Sequence, residues 1–250
     1  MSRFEGKNVV ITGGSGGIGK VTAKDFLLEG ANVALVDISQ EALDESREDL
    51  KEFGRVITIV ADVTQEEDVK QYVQKTLDEF SGIDIFFNNA GIEGKVAPIH
   101  EQSFVDFTKV LDVNVNGVFL GMKYVVPVML EAGRGSIINM ASVAGLDGSP
   151  GMSPYNASKH AVVGLTKAAA LELAADNIRV NSVHPSPVNT RMMRAVEEGM
   201  GSSQEDMSLS IPIGRYAESS DISNLVLFLA DDASDFITGV QYRVDGGMGV

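Results

Sequence analysis

Two kinds of segment alternate along the whole chain, and this alternation restricts the possible folds more than any other feature. Short apolar runs rich in β-branched residues are predicted as strands at residues 8–12, 32–36, 56–60, 83–87, 136–140, 179–183 and 241–244. Between most of them, helical spacing and composition occur at residues 17–29, 40–53, 66–80, 104–130, 153–175 and 221–229. A βαβα order with continuously apolar strands predicts a parallel sheet with helices on both faces. Right-handed crossovers then give a doubly wound α/β fold of about seven strands.

The chain contains no Pro/Ser-rich linker, low-complexity run or internal repeat, so a single domain spanning residues 1–250 is predicted. Two places depart from the regular pattern. Pro127 lies near the end of the predicted helix 104–130, where a kink or a break is expected. Residues 186–212 are irregular and contain several Gly, Ser and Met residues, and we predict that this lid segment is a mobile cover over a substrate site.

Composition excludes several classes of site and partner. The chain has no cysteine, which excludes disulfides, thiolate metal sites and a cysteine nucleophile. Its three histidines, His100, His160 and His184, form no pair at metal-ligand spacing, so no metal is predicted. We expect His160 to face away from the active site and His184 to be a core residue. The formal net charge of −15 repels phosphate backbones, and nucleic acid is therefore not an expected partner.

No apolar run approaches the length of a signal peptide or of a membrane-spanning helix. The run at residues 9–11, which follows two basic residues near the N-terminus, is far too short. The expectation is a cytoplasmic protein without a membrane partner.

A glycine-rich loop at residues 12–19 lies between the first predicted strand and the first predicted helix. Glycines there allow positive φ angles and let the backbone approach a ligand closely. The helix N-terminus that follows offers free N–H groups to a pyrophosphate. This position predicts a dinucleotide-binding loop. The predicted cofactor contacts are Gly13, Ser15, Gly17, Ile18 and Gly19.

Residues 13–17 also fit the G-x-S-x-G pattern of a serine-hydrolase nucleophile elbow. A hydrolase of that type needs strands and an oxyanion loop upstream, and too few residues precede Ser15 to supply them. None of the three histidines lies in a persuasive triad context. These features disfavour the hydrolase interpretation.

Asp37 ends the second predicted strand, about 20 residues after the glycine loop. A carboxylate at this point accepts hydrogen bonds from the adenosine ribose hydroxyls and repels a 2′-phosphate. The loop carries no Arg or Lys before Lys20. The sequence therefore predicts NAD rather than NADP.

Several separated motifs follow one another in the order expected of one enzyme family. They are the glycine loop, Asp62-Val63, Asn88-Asn89-Ala90-Gly91, Asn114, Ser142, Tyr155-x-x-x-Lys159 and the segment from Pro185 to Thr190. Together they resemble the short-chain dehydrogenase/reductase family, in its subgroup of about 250 residues. The resemblance covers essentially the whole chain and implies a Rossmann-like fold.

The resemblance implies a catalytic set, and the chemistry of the residues suits it. Tyr155 and Lys159 are four residues apart and share one helix face. A nearby ammonium and the positive nicotinamide are expected to lower the pKa of a phenol that ordinarily titrates near 10. In the family, this tyrosine is the acid/base, the lysine also binds the nicotinamide ribose, Ser142 holds the substrate oxygen and Asn114 anchors a water.

The resemblance also implies three further groups of cofactor contacts: Asp62 and Val63 at the adenine, Asn89, Ala90 and Gly91 beside the adenosine ribose, and Pro185, Val188 and Thr190 at the nicotinamide carboxamide. One departure from the family pattern lies here. Ser186 stands where the family usually has glycine, and Pro187 biases Ser186 toward extended geometry. We expect this change to reshape the substrate-side wall.

The predicted function is hydride transfer between NAD and a small secondary alcohol or ketone, in an enzyme that the resemblance suggests is a homotetramer. One alternative is an NADPH-dependent 3-oxoacyl-carrier reductase, which Asp37 and the acidic charge disfavour. Another is a catalytically silent nucleotide-binding protein, which the complete catalytic set disfavours. Four methionines of the lid segment fit either a substrate pocket or lid packing: Met192, Met193, Met200 and Met207.

Overall fold

The computed structural model describes residues 2–250, and its centre is one seven-stranded sheet in which neighbouring strands pair in parallel. The strands are β1 (Asn8–Thr12), β2 (Asn32–Asp37), β3 (Val56–Val60), β4 (Ile85–Asn88), β5 (Gly135–Met140), β6 (Ile178–Pro185) and β7 (Gln241–Val244). Their order across the sheet is β3-β2-β1-β4-β5-β6-β7. This confirms the predicted doubly wound sheet of seven strands.

The helices connect consecutive strands and cover both faces of the sheet. They are α1 (Gly17–Leu28), α2 (Gln40–Leu50), α3 (Glu66–Phe80), α4 (Phe104–Leu111), α5 (Gly117–Ala132), α6 (Ser153–Leu173), α7 (Arg191–Met200), α8 (Gln204–Ser208) and α9 (Ser219–Ala230). Helices α1, α2 and α9 contribute to the apolar core on one face, and α3, α5 and α6 contribute to the core on the other.

The pleat of the strands explains why the middle of β1 is continuously apolar. Val9 and Ile11 of β1 point into one core layer, where Phe26 of α1 is also buried. Val10 lies between them in sequence and points into the opposite layer, together with Tyr72 of α3. Because both faces are covered, no position on β1 is free to be polar toward solvent.

The direction of winding reverses at β1, which pairs with β2 on one side and with β4 on the other. In open α/β sheets, ligands bind in the crevice outside the carboxyl ends of the strands at such a switch point. The loops that follow β1 and β4 carry residues 13–19 and 89–91, so two of the predicted cofactor segments meet here.

The predicted bounds of the elements differ from the structure by up to three residues, as in α2, which ends at Leu50 rather than at residue 53. The fourth strand is Ile85–Asn88 rather than residues 83–87. The predicted helix 104–130 is two helices, α4 and α5, joined by a π-helical turn over Asp112–Asn116.

The expected break at Pro127 is absent, because α5 continues to Ala132. The helix ends instead where Gly133 takes the left-handed conformation (φ 66°). Pro127 lacks the N–H that would bond the carbonyl of Lys123, but both residues lie on the exposed face, where water reaches that carbonyl.

The stretch Phe104–Ala132 is long and apolar enough to span a membrane by length and composition alone. A core helix of a soluble protein passes the same test. Val118, Met122, Val125 and Met129 of α5 are buried against the sheet, which identifies α5 as such a core helix.

The lid segment is more regular than its composition predicts, since it contains α7 and α8. Its beginning is tied to the sheet: the N–H of Ser186 donates to the carbonyl of Val244 at 3.2 Å, and Val188 forms a β-bridge with Ala217. Among residues 2–250, only Ser81 and Asn177 are non-glycine residues with positive φ. Ser186 therefore fits this turn without the backbone freedom of glycine.

Candidate active site

Asp37 joins the end of β2 to the glycine loop. Its Oδ2 accepts hydrogen bonds from the Ser15 N–H at 3.2 Å and from the Ser15 hydroxyl at 2.5 Å. Its Oδ1 accepts from the N–H of Ile38 at 2.8 Å. A carboxylate offers about four acceptor positions, so Asp37 retains one for a further donor. Asp37 is thus oriented beside the loop that sequence analysis assigned to the same cofactor.

The loops after β1 and β4 are in direct contact. A Cβ added at Gly13 would lie 3.0 Å from the Cα of Ala90, and one added at Gly19 would overlap the carbonyl oxygen of Gly13. The side-chain amide of Asn89 donates to the carbonyls of Thr12 and Gly13 at 3.0 and 3.2 Å. Asn89 therefore supports the glycine loop, and glycine is required where these two loops meet.

The N-terminus of α1 opens toward the beginning of the lid segment. Its N-cap, Gly16, provides no side-chain cap, and its first turn has no acidic residue. A Cβ added at Gly17 would lie 3.3 Å from Cγ2 of Thr190 and 3.5 Å from Oγ of Ser219. Uncapped N–H groups facing a narrow space fit an anionic pyrophosphate.

A groove of about 540 Å³ lies beside the ends of β2 and β3. Ile38 and Val113 line it together with Asp62, Thr64 and exposed side chains of α4. Asp62 is held by its own turn, since its Oδ1 accepts from the N–H and hydroxyl of Thr64 at 2.9 and 2.8 Å. Val63 packs over the start of α5, where a Cβ on Gly117 would lie 2.8 Å from its Cγ2. The mixed apolar and carboxylate lining fits a flat heteroaromatic base.

Tyr155 and Lys159 lie on one face of α6. The Lys159 Nζ is 5.4 Å from the centroid of the Tyr155 ring and donates to the carbonyl of Met140 at 2.9 Å. The Lys159 residue is only 3% exposed, and this burial lowers its pKa to about 8. The ammonium is therefore available close to the phenol.

The Tyr155 phenol is held in its protonated form by the protein around it. Burial raises its pKa to about 12, the Ser142 hydroxyl acts in the opposite direction, and the charge of Glu93 raises the pKa further. The sequence-based expectation of a lowered pKa included the charge of the nicotinamide, whereas in the protein alone desolvation of the phenolate outweighs the neighbouring groups. In this state Tyr155 is a proton donor.

Ser142 follows the end of β5 and caps a short 3₁₀ turn. Its Oγ accepts from the N–H of Ala144 at 3.2 Å. An oxygen that accepts in this way keeps its own proton free to donate. Ser142 can therefore cap the turn and still present a hydroxyl donor beside Tyr155.

Asn114 lies in the π-helical turn and is fully buried. Its Oδ1 accepts from the N–H of Ile92 at 2.8 Å, and its Nδ2 donates to the carbonyl of Ile92 at 2.9 Å and to Oγ of Ser158 at 3.0 Å. Both amide protons are thus used inside the protein. A water held by Asn114 has to donate to one of its oxygens. π-Turns are frequent at functional sites.

Gly91 brings the β4 loop against this catalytic set. A Cβ at Gly91 would lie 3.2 Å from Oδ1 of Asn114 and 3.5 Å from Nζ of Lys159. The sequence-predicted residues Gly91, Asn114 and Lys159 are therefore immediate neighbours.

The nicotinamide-side residues predicted from the sequence are spread over a strand end and a helix cap. Pro185 ends β6, opposite Val244 of β7. Val188 is 7% exposed and packs in the core. Thr190 is the N-cap of α7, and its Oγ1 accepts from the N–H of Met193 at 3.4 Å.

An apolar cluster lies beside Tyr155. Its buried members are Met152, Met193, Val196, Ile211 and Tyr216, and Val96, Tyr155, Met200 and Met207 pack against it. Three of the four lid-segment methionines thus belong to the cluster against which Tyr155 packs, whereas Met192 is exposed. The two interpretations of these methionines, packing within the lid segment and an apolar wall beside Tyr155, therefore describe the same cluster.

Two residues of the site were not assigned to it from the sequence. Ser158 accepts from Asn114 and donates from its hydroxyl to the carbonyl of Tyr155 at 2.7 Å. Its position one helical turn after Tyr155 could have indicated from the sequence that Ser158 lies at the site. His184 is buried, as expected of a core histidine, but it bonds the carbonyl of Ser142 at 2.8 Å. His160 is exposed.

Residues 2–250 contain no group of three or more His, Asp or Glu side chains arranged to hold a metal ion.

The chain is similar to known oxidoreductases over nearly its whole length. A family model described as enoyl-(acyl carrier protein) reductase matches residues 13–249. Cyclohexanol dehydrogenase of Acinetobacter sp. (strain SE19) is 41% identical, over 98% of this chain and 96% of the relative. The crystal structure of levodione reductase superposes with a TM-score of 0.96 at 38% identity, covering 99% of both chains. That of NAD⁺-bound xylitol dehydrogenase gives 0.94 at 38% identity, covering 98% of this chain and 100% of the other.

Proposed function

The chain belongs to the short-chain dehydrogenase/reductase family and is an oxidoreductase of secondary alcohols and their ketones; we propose that NAD carries the hydride and that Tyr155 transfers the proton. The observation that carries this proposal is the convergence of Tyr155, Lys159 and Ser142 at one end of the sheet. A phenol, an ammonium and a hydroxyl donor around one point suit proton transfer to a carbonyl oxygen.

In ketone reduction, the Tyr155 hydroxyl donates its proton to the substrate oxygen while the Ser142 hydroxyl hydrogen-bonds that oxygen. In alcohol oxidation, the Tyr155 phenolate takes the proton from the alcohol. The Lys159 ammonium, 5.4 Å from the ring, stabilises that phenolate electrostatically. Asn114 positions the segment around Ile92 and Gly91 against Lys159. Bound NAD supplies the hydride acceptor or donor.

The residues that would hold NAD follow the carboxyl ends of β1, β2, β3, β4 and β6, apart from Lys159, which lies on α6. We assign the pyrophosphate to the N–H groups of Gly17, Ile18 and Gly19. Asp37 binds the adenosine ribose, Ala90 and Gly91 lie beside that ribose, and Asp62 and Val63 contact the adenine. The nicotinamide half of the cofactor is assigned to Lys159, Pro185, Val188 and Thr190. Gly13, Ser15 and Asn89 shape the loop.

The preference for NAD over NADP rests on charge. The Asp37 carboxylate is oriented toward the glycine loop, where it repels a 2′-phosphate. Lys20, the nearest basic residue in sequence, is paired with Asp49. No basic side chain of the loop is therefore free for that phosphate.

The substrate class follows from the methionine cluster. Met193, Met200 and Met207 provide flexible apolar surface near Tyr155, which suits a small, largely apolar alcohol or ketone. An anionic acyl-carrier substrate is disfavoured. Arg194 of the lid segment already bonds Glu197, and the whole chain carries a net charge of −15.

We further propose a cytoplasmic homotetramer whose lid segment, residues 186–212, closes over the substrate. Exposed apolar side chains away from the adenine groove support assembly: Phe119 on α5, Leu171 on α6 and Phe236 after α9 are 49%, 86% and 101% exposed. Light scattering of the purified protein tests the assembly, and a monomer at micromolar concentration would contradict it.

The proposed function is tested with the purified protein, NAD or NADP, and a panel of cyclic and linear secondary alcohols, by following the absorbance of reduced nicotinamide. Tyr155→Phe is expected to lower kcat by about 10²–10⁴-fold while NADH still binds. Tyr124→Phe, on α5, is the matched control. Turnover mainly with NADP would refute the assignment to Asp37. NAD binding without any turnover would favour a silent nucleotide-binding protein.

A further inference from the structure

The imidazole of His184 connects β6 to the residue that holds the substrate oxygen. Its Nδ1 lies 2.8 Å from the carbonyl oxygen of Ser142, and its Nε2 lies 2.8 Å from Oγ of Ser182. His184 and Ser182 are both fully buried. We propose that His184 is a positioning residue that orients the Ser142 hydroxyl through the Ser142 main chain. This inference rests on the proposed function.

In a neutral imidazole ring, these two hydrogen bonds permit one arrangement of protons. A carbonyl oxygen only accepts, so Nδ1 of His184 carries the proton and donates it to Ser142. Nε2 is then the acceptor and receives the hydroxyl proton of Ser182. Burial lowers the pKa of His184 to about 4, against a smaller opposing effect of the Ser142 bond, so the ring is neutral at neutral pH.

Ser142 needs this support because the β-ladder ends before it. Next to the end of β5, the N–H of Ala141 donates to the carbonyl of Val183 in β6 at 2.9 Å. The Ser142 carbonyl accepts locally from the N–H of Gly145 at 2.9 Å, within its own turn. The His184 bond spans 42 residues and ties that turn to β6.

A second side chain, from helix α6, bonds the main chain at the end of β5. Lys159 of α6 donates to the carbonyl of Met140, two residues before Ser142. The carbonyls of Met140 and Ser142 are thus each bonded by a buried side chain from a different element. Lys159 and His184 together determine where the main chain beneath the Ser142 hydroxyl lies.

Two substitutions separate the bond from the packing. In His184→Asn, Nδ2 stands at the same distance along the side chain as Nδ1 of histidine and retains a donor for the Ser142 carbonyl. His184→Leu keeps apolar volume and removes that donor. We expect His184→Leu to lower kcat/KM about 10–100-fold, the scale of a misplaced catalytic contact. His184→Asn should keep most of the activity.

The decisive experiment is a double-mutant cycle of His184→Leu with Ser142→Ala, measuring kcat, KM, NADH affinity and unfolding midpoint. If His184 acts through the Ser142 hydroxyl, His184→Leu costs less than about twofold once that hydroxyl is absent. The same fold-loss in both backgrounds would show a general structural role and overturn the inference. If Ser142→Ala alone leaves kcat unchanged, the proposed function fails, and the cause is not His184.

Imidazole ¹⁵N chemical shifts of the wild-type protein test the inference without relying on a variant that folds. The expected state is neutral at pH 7 with the proton on Nδ1. A proton on Nε2 would mean that His184 does not donate to Ser142, and it would overturn the inference. Loss of activity in a folded His184→Asn variant would have the same consequence.

Discussion

The Lys159 ammonium lies 5.4 Å from the centroid of the Tyr155 ring, where Lys159 is buried and Tyr155 is partly buried. The ammonium carries three donors, but within residues 2–250 it makes one hydrogen bond, to the carbonyl of Met140. Burial of an amine that is still largely charged at pH 7 disfavours the folded state, as its lowered pKa of about 8 indicates. The buried Lys159 therefore costs stability at neutral pH, as expected of a residue kept for the catalytic role that we propose.

Lys159→Met should raise the free energy of unfolding at pH 7 by about 1–3 kcal/mol, the scale of a pKa shift of this size, while abolishing turnover. The folded pKa, about 8, lies below the ordinary value of 10.5, so the wild-type penalty is full below pH 8. It shrinks as the pH rises from 8 to 10.5, and the gain from the substitution shrinks with it. Urea denaturation at pH 7 and pH 10 measures this, with exposed Lys167→Met of α6 as control. A less stable Lys159→Met protein would contradict the argument.

Glu93→Gln should shift the pH dependence of alcohol oxidation to lower pH. Burial has the largest effect on the pKa of Tyr155 and raises it, the Ser142 hydroxyl lowers it, and the charge of Glu93 raises it. Removing that charge lowers the pKa, so more phenolate is present at a given pH and kcat/KM for oxidation rises several-fold near neutrality. Profiles of kcat/KM from pH 6 to 10 test this. Glu101→Gln is the exposed control, and an unshifted profile for Glu93→Gln would refute the electrostatic link.

Asp37→Ser should lower kcat/KM with NAD by about 10–100-fold, because a charge-assisted hydrogen bond to the ribose is lost. The ratio of NADP to NAD efficiency should rise, because the repulsion of a 2′-phosphate disappears. The substitution also removes the partner of Ser15, so Ser15→Ala is the control for the loop. Ser15→Ala should weaken both cofactors alike, and an unchanged cofactor ratio in Asp37→Ser would refute the assignment.

The parts of the site that the sequence predicted are those determined by strand ends. Because β1 and β2 are parallel neighbours, the residues after β1 and at the end of β2 must meet, and Ser15 indeed bonds Asp37. The contact between the loops at Gly13 and Ala90 follows from the pairing of β1 with β4 in the same way. Continuous apolar runs were enough to locate these strands.

The features of the site that the sequence did not reveal depend on residues far apart in the chain or on a local change from α-helical to π-helical hydrogen bonding. The apolar spacing runs unbroken through residues 104–130, so the π-turn around Asn114 leaves no periodic signal. The partners of Asn114 are 22 and 44 residues away. The raised pKa of Tyr155 reflects burial beneath a cluster that includes residues of the lid segment.

The helices of the lid segment were readable from their caps. Thr190 caps α7, and Ser203 with Asp206 forms a capping box at α8. Gly201, which composition marks as a sign of irregular chain, ends α7 in the left-handed conformation (φ 62°). Weighting these cap signals above the glycine and serine content would have predicted two short helices.

The Tyr72 hydroxyl provides a test of the core that is independent of the active site. Tyr72 of α3 is fully buried, and its hydroxyl has no hydrogen-bond partner within residues 2–250. A buried hydroxyl without a partner costs about 1–3 kcal/mol, whereas its ring contributes apolar burial that phenylalanine retains. Tyr72→Phe should therefore raise the free energy of unfolding by about 1 kcal/mol and leave kcat unchanged.

Tyr124→Phe, which loses a hydroxyl bonded to Glu66, should instead be neutral or slightly destabilising. Urea denaturation of both variants distinguishes the two environments. If Tyr72→Phe is the less stable of the pair, a buried water must satisfy that hydroxyl, and the core around α3 is hydrated rather than dry.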